Sequence, residues 1–325
     1  MNVPLLGRLV AAASLTAAVL SGCSSSTPVS GQGATPAVGA QHPGSTGAAT
    51  VPPATHPAVT PSPPYQVTFT TLALVDTSRP TVSAGKTLST SRALTTQVWA
   101  PAAPGRRPLV VFGHGYKVGP GPYTALLQAW AADGYVVAAP EFPLSDEAVA
   151  KTHLDESDIN NEPGDLRFVM DSLVAPSSAL AARIDPGRVA VAGHSDGGEA
   201  ALSEAITPTP AGEPSIRAVI AMSVSPLPGA PHRANPPVLV TQGSAAPINA
   251  FADGQRTYGQ ATSPKYFLTL LGGGHLPPLM AGSAWLPTVV TVCEDFLNLY
   301  VAGAGTRRAL VTDGNHPPLT TVQSG

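Results

Sequence analysis

Charge is scarce in this chain: 11% of its 325 residues are charged, and the formal net charge is −3. Without a basic field there is nothing to hold a phosphate backbone, so nucleic-acid binding is excluded. Aromatic residues are few, at 5%, although 43% of residues are apolar. That is enough for a large core, one built of small side chains and many turns given the Gly and Pro content. No His/Cys/Asp/Glu spacing of the metal-binding kind occurs, and no G-x-x-x-x-G-K loop, so neither a metal nor another cofactor is expected. Cysteine is almost missing, with only Cys23 and Cys293 present.

The longest uncharged run near the start, Leu9 to Leu20 behind Arg8, is too short to span a bilayer comfortably. Residues 1–22 have the layout of a secretory signal peptide, ending in Leu20-Ser21-Gly22-Cys23. The tetrapeptide resembles the lipobox of bacterial lipoproteins, which implies lipidation at Cys23. An ordinary signal that happens to contain a cysteine is the alternative. With Cys23 acylated, Cys293 has no partner and no disulfide is expected. Residues 23–64 are Ser, Thr, Pro, Gly and Ala with hardly a large apolar residue, which suits a disordered tether. The expected location is the outer face of the cytoplasmic membrane, with the anchor as the membrane contact.

The pattern changes after Pro64. "YQVTFTTLALV" and "LTTQVWAP" read as edge strands, and the continuous "PLVVF" as a buried central one. Helical and strand segments then alternate, from "YTALLQAWAADG" and "YVVAAP" through "RVAVAG" and "DGGEAALSEAI" to "KYFLTLLG" and a closing helix over 285–300. This order predicts an α/β fold with a mostly parallel central sheet and helices on both faces. A domain over 65–302 is expected, with 303–325 as a polar, Gly-rich tail. The acid-rich connection 140–162 is long for a strand-to-helix loop. It reads either as part of a ligand-binding rim or as a solvated face.

Gly193-His194-Ser195-Asp196-Gly197 fits G-x-S-x-G between an apolar strand and a helix. A serine on so sharp a turn leaves no room for side chains two residues to either side, and here both places are glycine. Together with "FGHGY" and the late "GGGHLP", the stretch from about Tyr65 to Ala302 resembles the α/β-hydrolases. Its nearest likeness is to chlorophyllase-like, dienelactone-hydrolase-like and platelet-activating-factor-acetylhydrolase-like enzymes. The resemblance implies Ser195 as nucleophile and the backbone N–H groups of Asp196 and Tyr116 as the oxyanion hole. His114 reads as a structural part of its loop, because the base of this fold comes last in chain order. That place belongs to His275, the one histidine of eight on the loop after the final predicted strand.

The acid is the departure. Members of the resembling family commonly carry G-[ST]-x-D after the strand that here reads "PVLVTQ", and this chain has Gly243-Ser244-Ala245-Ala246. The alternative position after the preceding strand, in "AMSVSPLPGAPHRANPP", also holds no Asp or Glu. Asp253 remains, either curling back to His275 or capping the helix that begins there. The sequence therefore reads as a carboxylic-ester hydrolase acting on a small-molecule or lipid ester through an acyl-enzyme, weakened by the lost acid. The rival reading is a degraded hydrolase fold kept as a cell-envelope binding or structural lipoprotein.

Overall fold

The computed structural model describes residues 64–209, 213–227 and 236–325. The expected signal peptide, Cys23 and the tether as far as residue 63 lie outside the described residues.

The chain enters through β1 (Val67–Asp76), makes a hairpin of β2 (Thr81–Ser83) and β3 (Lys86–Ser89), and returns along β4 (Arg92–Pro101), antiparallel to β1. Then come β5 (Arg107–Gly113), α1 (Thr124–Asp133), β6 (Val136–Pro140), a short α2 (Glu147–Ala150), α3 (Glu162–Val174) and β7 (Ile184–His194). The second half holds α4 (Asp196–Ile206), β8 (Ile216–Met222), β9 (Val238–Gly243), α5 (Phe251–Gln260) and β10 (Lys265–Leu270). It closes with α6 (Leu286–Leu297), α7 (Arg307–Asp313) and β11 (Thr320–Ser324). Nine strands form one sheet in the order β1-β4-β6-β5-β7-β8-β9-β10-β11. From β6 to β10 the neighbours run parallel, and the antiparallel pairs lie at the two edges. This is the mostly parallel α/β sheet that the alternation implied, in the α/β-hydrolase arrangement that the resemblance implied.

Strand periodicity divides the core into two layers. On β5, Val110 and Phe112 face α1 and α6, where they meet Trp130, Leu126, Val289 and Phe296. Leu109 and Val111 face the other way, toward Leu166, Val169 and Met170 of α3 and Ala200 and Ala201 of α4. All of these are buried, and apart from Phe112, Trp130 and Phe296 they are small or medium-sized, in keeping with the low aromatic content. Cys293 is buried and free on α6.

The expected polar tail is corrected here. Residues 307–313 are helical, and β11 pairs antiparallel with β10 from Leu270↔Thr320 to Tyr266↔Ser324. The domain thus runs to the last residues, because the strand covers an edge that β10 would otherwise leave unpaired. "TTVQS" is short and polar on one face, which hides it among loop residues.

The 140–162 connection is also ordered. Arg92, with no exposed surface, donates from Nη1 and Nη2 to Asp158 (3.0 and 2.8 Å), and from Nε and Nη2 to Asp165 (2.8 and 2.5 Å). Asp146 accepts from the Ala148 N–H at the start of α2, and Asp155 from the Ser157 N–H at the start of a 3-10 turn over Glu156–Asn160. These acids are therefore not a uniformly solvated face; three of them, Asp146, Asp155 and Asp158, fasten the segment to its own backbone and to β4.

Candidate active site

Ser195 is the residue between β7 and α4, at φ 54° and ψ −125°, a backbone conformation few non-glycine residues adopt. Its N–H donates to the Met222 carbonyl at 2.8 Å, and its carbonyl accepts from the N–H groups of Gly198 (2.9 Å) and Glu199 (3.0 Å). Those bonds hold the turn sharp. A Cβ on Gly193 would overlap the Gly197 carbonyl, and one on Gly197 would overlap Gly113, so both motif glycines are sterically required. The serine is 8% exposed and lies at the positive end of α4.

Facing it is the loop after β5. A Cβ on Gly115 would lie 3.1 Å from the Ser195 Cβ, so main chain alone fits there. His114 is fully buried: its Nε2 accepts from the Phe142 N–H at 3.0 Å, which leaves the proton on Nδ1 to donate to the Gly115 carbonyl at 3.0 Å. Burial pushes its pKa down to about 4, so it is a neutral clamp, as its position before Ser195 in the chain implied. The same loop is fastened to the 140–162 segment, since the Lys117 N–H donates to the Ser145 carbonyl at 2.8 Å. The N–H groups of Tyr116 and Asp196 are left without a main-chain acceptor, the state an oxyanion hole needs.

His275 follows β10 on the Gly272-Gly273-Gly274 loop and is brought to the elbow by its backbone. Its carbonyl accepts from His194 Nε2 and from Ser223 Oγ, each at 3.1 Å, and the His194 and His275 rings lie 4.5 Å apart between centroids. Burial lowers the His275 pKa below the ordinary 6.5, opposed by the Ile248 carbonyl, which raises it. That carbonyl reaches the ring, yet Nδ1 is buried and completes no well-formed hydrogen bond.

No carboxylate fills the vacancy. Asp253 lies in the first turn of α5, whose N-cap is Ala250, and its carboxylate pairs with Arg256. Both expectations for it are corrected: it is neither the partner of His275 nor the capping residue, because the helix begins two residues earlier and Arg256 stands one turn on. Ala246 sits in a turn on Gly243, and Ala245 N–H donates to the Gly273 carbonyl at 3.0 Å, so this loop lies beside the one carrying His275. Asn249, at φ 48°, is clamped there: its Nδ2 donates to the Ser223 carbonyl at 2.7 Å, and its own carbonyl accepts from Gln242 Nε2 at 2.6 Å.

Two acids border the site without touching the imidazole. Burial, with Glu156 nearby, raises Asp196 to about 6, and burial raises Glu199 to about 7 while its carboxylate accepts from the Ser225 N–H at 2.9 Å. Among the described residues no group of three His, Cys, Asp or Glu side chains is placed to hold a metal ion.

A family model described as chlorophyllase matches residues 68–250, more than half of the chain. The chain belongs to the chlorophyllase family. It is thereby placed in the α/β-hydrolase superfamily, in agreement with its sheet, and no curated protein matches it. The matched stretch includes the Gly115 loop, the Ser195 elbow and the emptied acid position, and it stops before His275. Gly115, next to Tyr116, lies against Ser195, and the His275 carbonyl is bonded to His194, next to Ser195, while Asp253 pairs with Arg256. Sequence reading missed Tyr123, Ser223 and Asn249, whose contacts with the site come from three separate loops.

Proposed function

We propose that this protein is a carboxylic-ester hydrolase in which Ser195 attacks the ester carbonyl and His275 takes the serine proton. The observation that carries the reading is the strained Ser195 turn, with the N–H groups of Tyr116 and Asp196 beside it free of any main-chain acceptor. Attack turns the carbonyl oxygen into an oxyanion, and fixed donors stabilise it without the reorganisation water would need. His275 then returns the proton to the leaving alcohol, and a water molecule, activated in the same way, releases the acid from Ser195. With Nδ1 unpaired, the imidazolium lacks its usual counter-charge, so turnover is slow and best with good leaving groups. The substrate reading is a small-molecule or lipid ester. The test is hydrolysis of p-nitrophenyl acetate and fluorophosphonate labelling: Ser195→Ala should abolish both, and a mutant retaining the wild-type rate removes Ser195 from the mechanism.

The unpaired Nδ1 of His275 favours a second reading, a degraded hydrolase acting as a binding lipoprotein, which predicts no labelling at Ser195. Under either reading the sequence around Cys23 supports a lipid anchor at the cell envelope. Mass spectrometry of the membrane fraction should find the acyl groups on Cys23 and lose them in Cys23→Ser.

A further inference from the structure

Tyr123 and His194 form a hydrogen-bonded chain that ends on the backbone of His275. A carbonyl only accepts, so the 3.1 Å contact from His194 Nε2 to the His275 carbonyl puts the proton on Nε2. His194 Nδ1 is then an acceptor, and Tyr123 Oη, at 2.9 Å, donates to it. Tyr123 Oη in turn accepts from the Gly115 N–H at 3.3 Å. Both side chains are buried, and burial depresses the His194 pKa to about 3, which keeps its ring neutral. The chain therefore has one direction: from the oxyanion loop, through the tyrosine hydroxyl and the elbow histidine, to the main chain of the candidate base.

We propose that His194, set in its Nε2–H form by the His275 carbonyl and held at Nδ1 by Tyr123, is the positioning residue for His275, doing from the backbone side what a carboxylate usually does at Nδ1. The inference rests on the reading of His275 as base. Three contacts carry it. His194 fixes the His275 carbonyl, its ring packs against the His275 ring at 4.5 Å, and Ser223 Oγ gives the same carbonyl a second hydrogen bond at 3.1 Å. Orientation is thus supplied, whereas the charge that would stabilise an imidazolium is not. Such a device preserves part of the role of the acid, and it explains how an elbow and oxyanion loop remain assembled around an unpaired Nδ1.

Tyr123→Phe removes the donor that holds His194 Nδ1 while keeping the ring, and Ser223→Ala removes only the second bond to the carbonyl. On p-nitrophenyl acetate, Tyr123→Phe should lower kcat by roughly 10–100-fold and leave KM within about threefold, a fraction of the full triad loss. Ser223→Ala should lower kcat in the same direction by less. Adding Ala246→Asp should recover most of the kcat lost in Tyr123→Phe, because a carboxylate would then hold the ring directly. Nitrogen NMR of histidine-labelled protein reads the hydrogen bonds independently of turnover: His194 should be Nε2–H in the wild type, and its Nδ1 resonance should shift in Tyr123→Phe as the bond from the hydroxyl is lost. Wild-type kcat in both variants overturns the proposal, as does an Nδ1–H tautomer in the wild type. An inactive wild type with the expected tautomer instead overturns the esterase reading and leaves the hydrogen-bond chain established.

Discussion

Placing an aspartate at residue 246 should accelerate the enzyme, and the structure sets the scale. His275 Nδ1 is buried with no completed hydrogen bond, and an unsatisfied buried polar group costs about 1–3 kcal/mol. A bond to a charged acceptor contributes roughly 1.5–3 kcal/mol. Only the part that grows as imidazole becomes imidazolium accelerates the reaction, since equal stabilisation of ground and transition states leaves kcat unchanged. About 1.4–4 kcal/mol is then available, a gain in kcat of roughly 10–1000-fold for Ala246→Asp. The carboxylate would also lift the His275 pKa from its depressed value. A base is useless while protonated, so the acid limb of the variant should lie at higher pH than that of the wild type. The assay is kcat against pH for p-nitrophenyl acetate, with folding checked by circular dichroism. Asp253→Asn is the control and should stay within about threefold of wild type, because its carboxylate serves Arg256 and not the imidazole. If Ala246→Asp gives no gain while Asp253→Asn abolishes turnover, the acid has been relocated to Asp253 and the reasoning fails.

The wild-type acid limb in kcat/KM should fall below pH 6.5, because burial is the main influence on His275; a limb above 6.5 contradicts that. Arg92→Ala should cost about 3–5 kcal/mol in urea unfolding, since Asp158 would be buried without its cation and Asp165 would keep only Arg79, and a loss under 1 kcal/mol would show that the network is solvated. Deleting residues 303–325 should yield an aggregation-prone domain by exposing the edge of β10; a monomeric truncation with unchanged Tm would make β11 dispensable.

The continuous apolar runs, the alternation of strand and helix signals and the two glycines around Ser195 made the sheet, the order of the elements and the sharp turn legible in the sequence. α4 begins at Asp196, directly after the motif serine, as the local signals require. Those features are local, because side-chain period and the steric demand of a tight turn act over a few residues. The single change at Ala246 was legible too, as an absence. What filled or failed to fill that absence was not. Asp253 and Ala246 are seven positions apart, and only the start of α5 at Phe251, with Arg256 one turn beyond, decided that the aspartate pairs with Arg256. β11 was lost for a similar reason: five polar and β-branched residues become a strand only when β10 offers an unpaired edge. The hydrogen-bonded chain from Gly115 through Tyr123 and His194 to His275 crosses 160 positions of sequence between residues 115 and 275. Hydrogen bonds have a reach of about 3 Å and no sequence period. The sequence by itself determined the scaffold and the serine turn, whereas the partners of the histidine were decided by which distant loops the closed sheet brought within that reach.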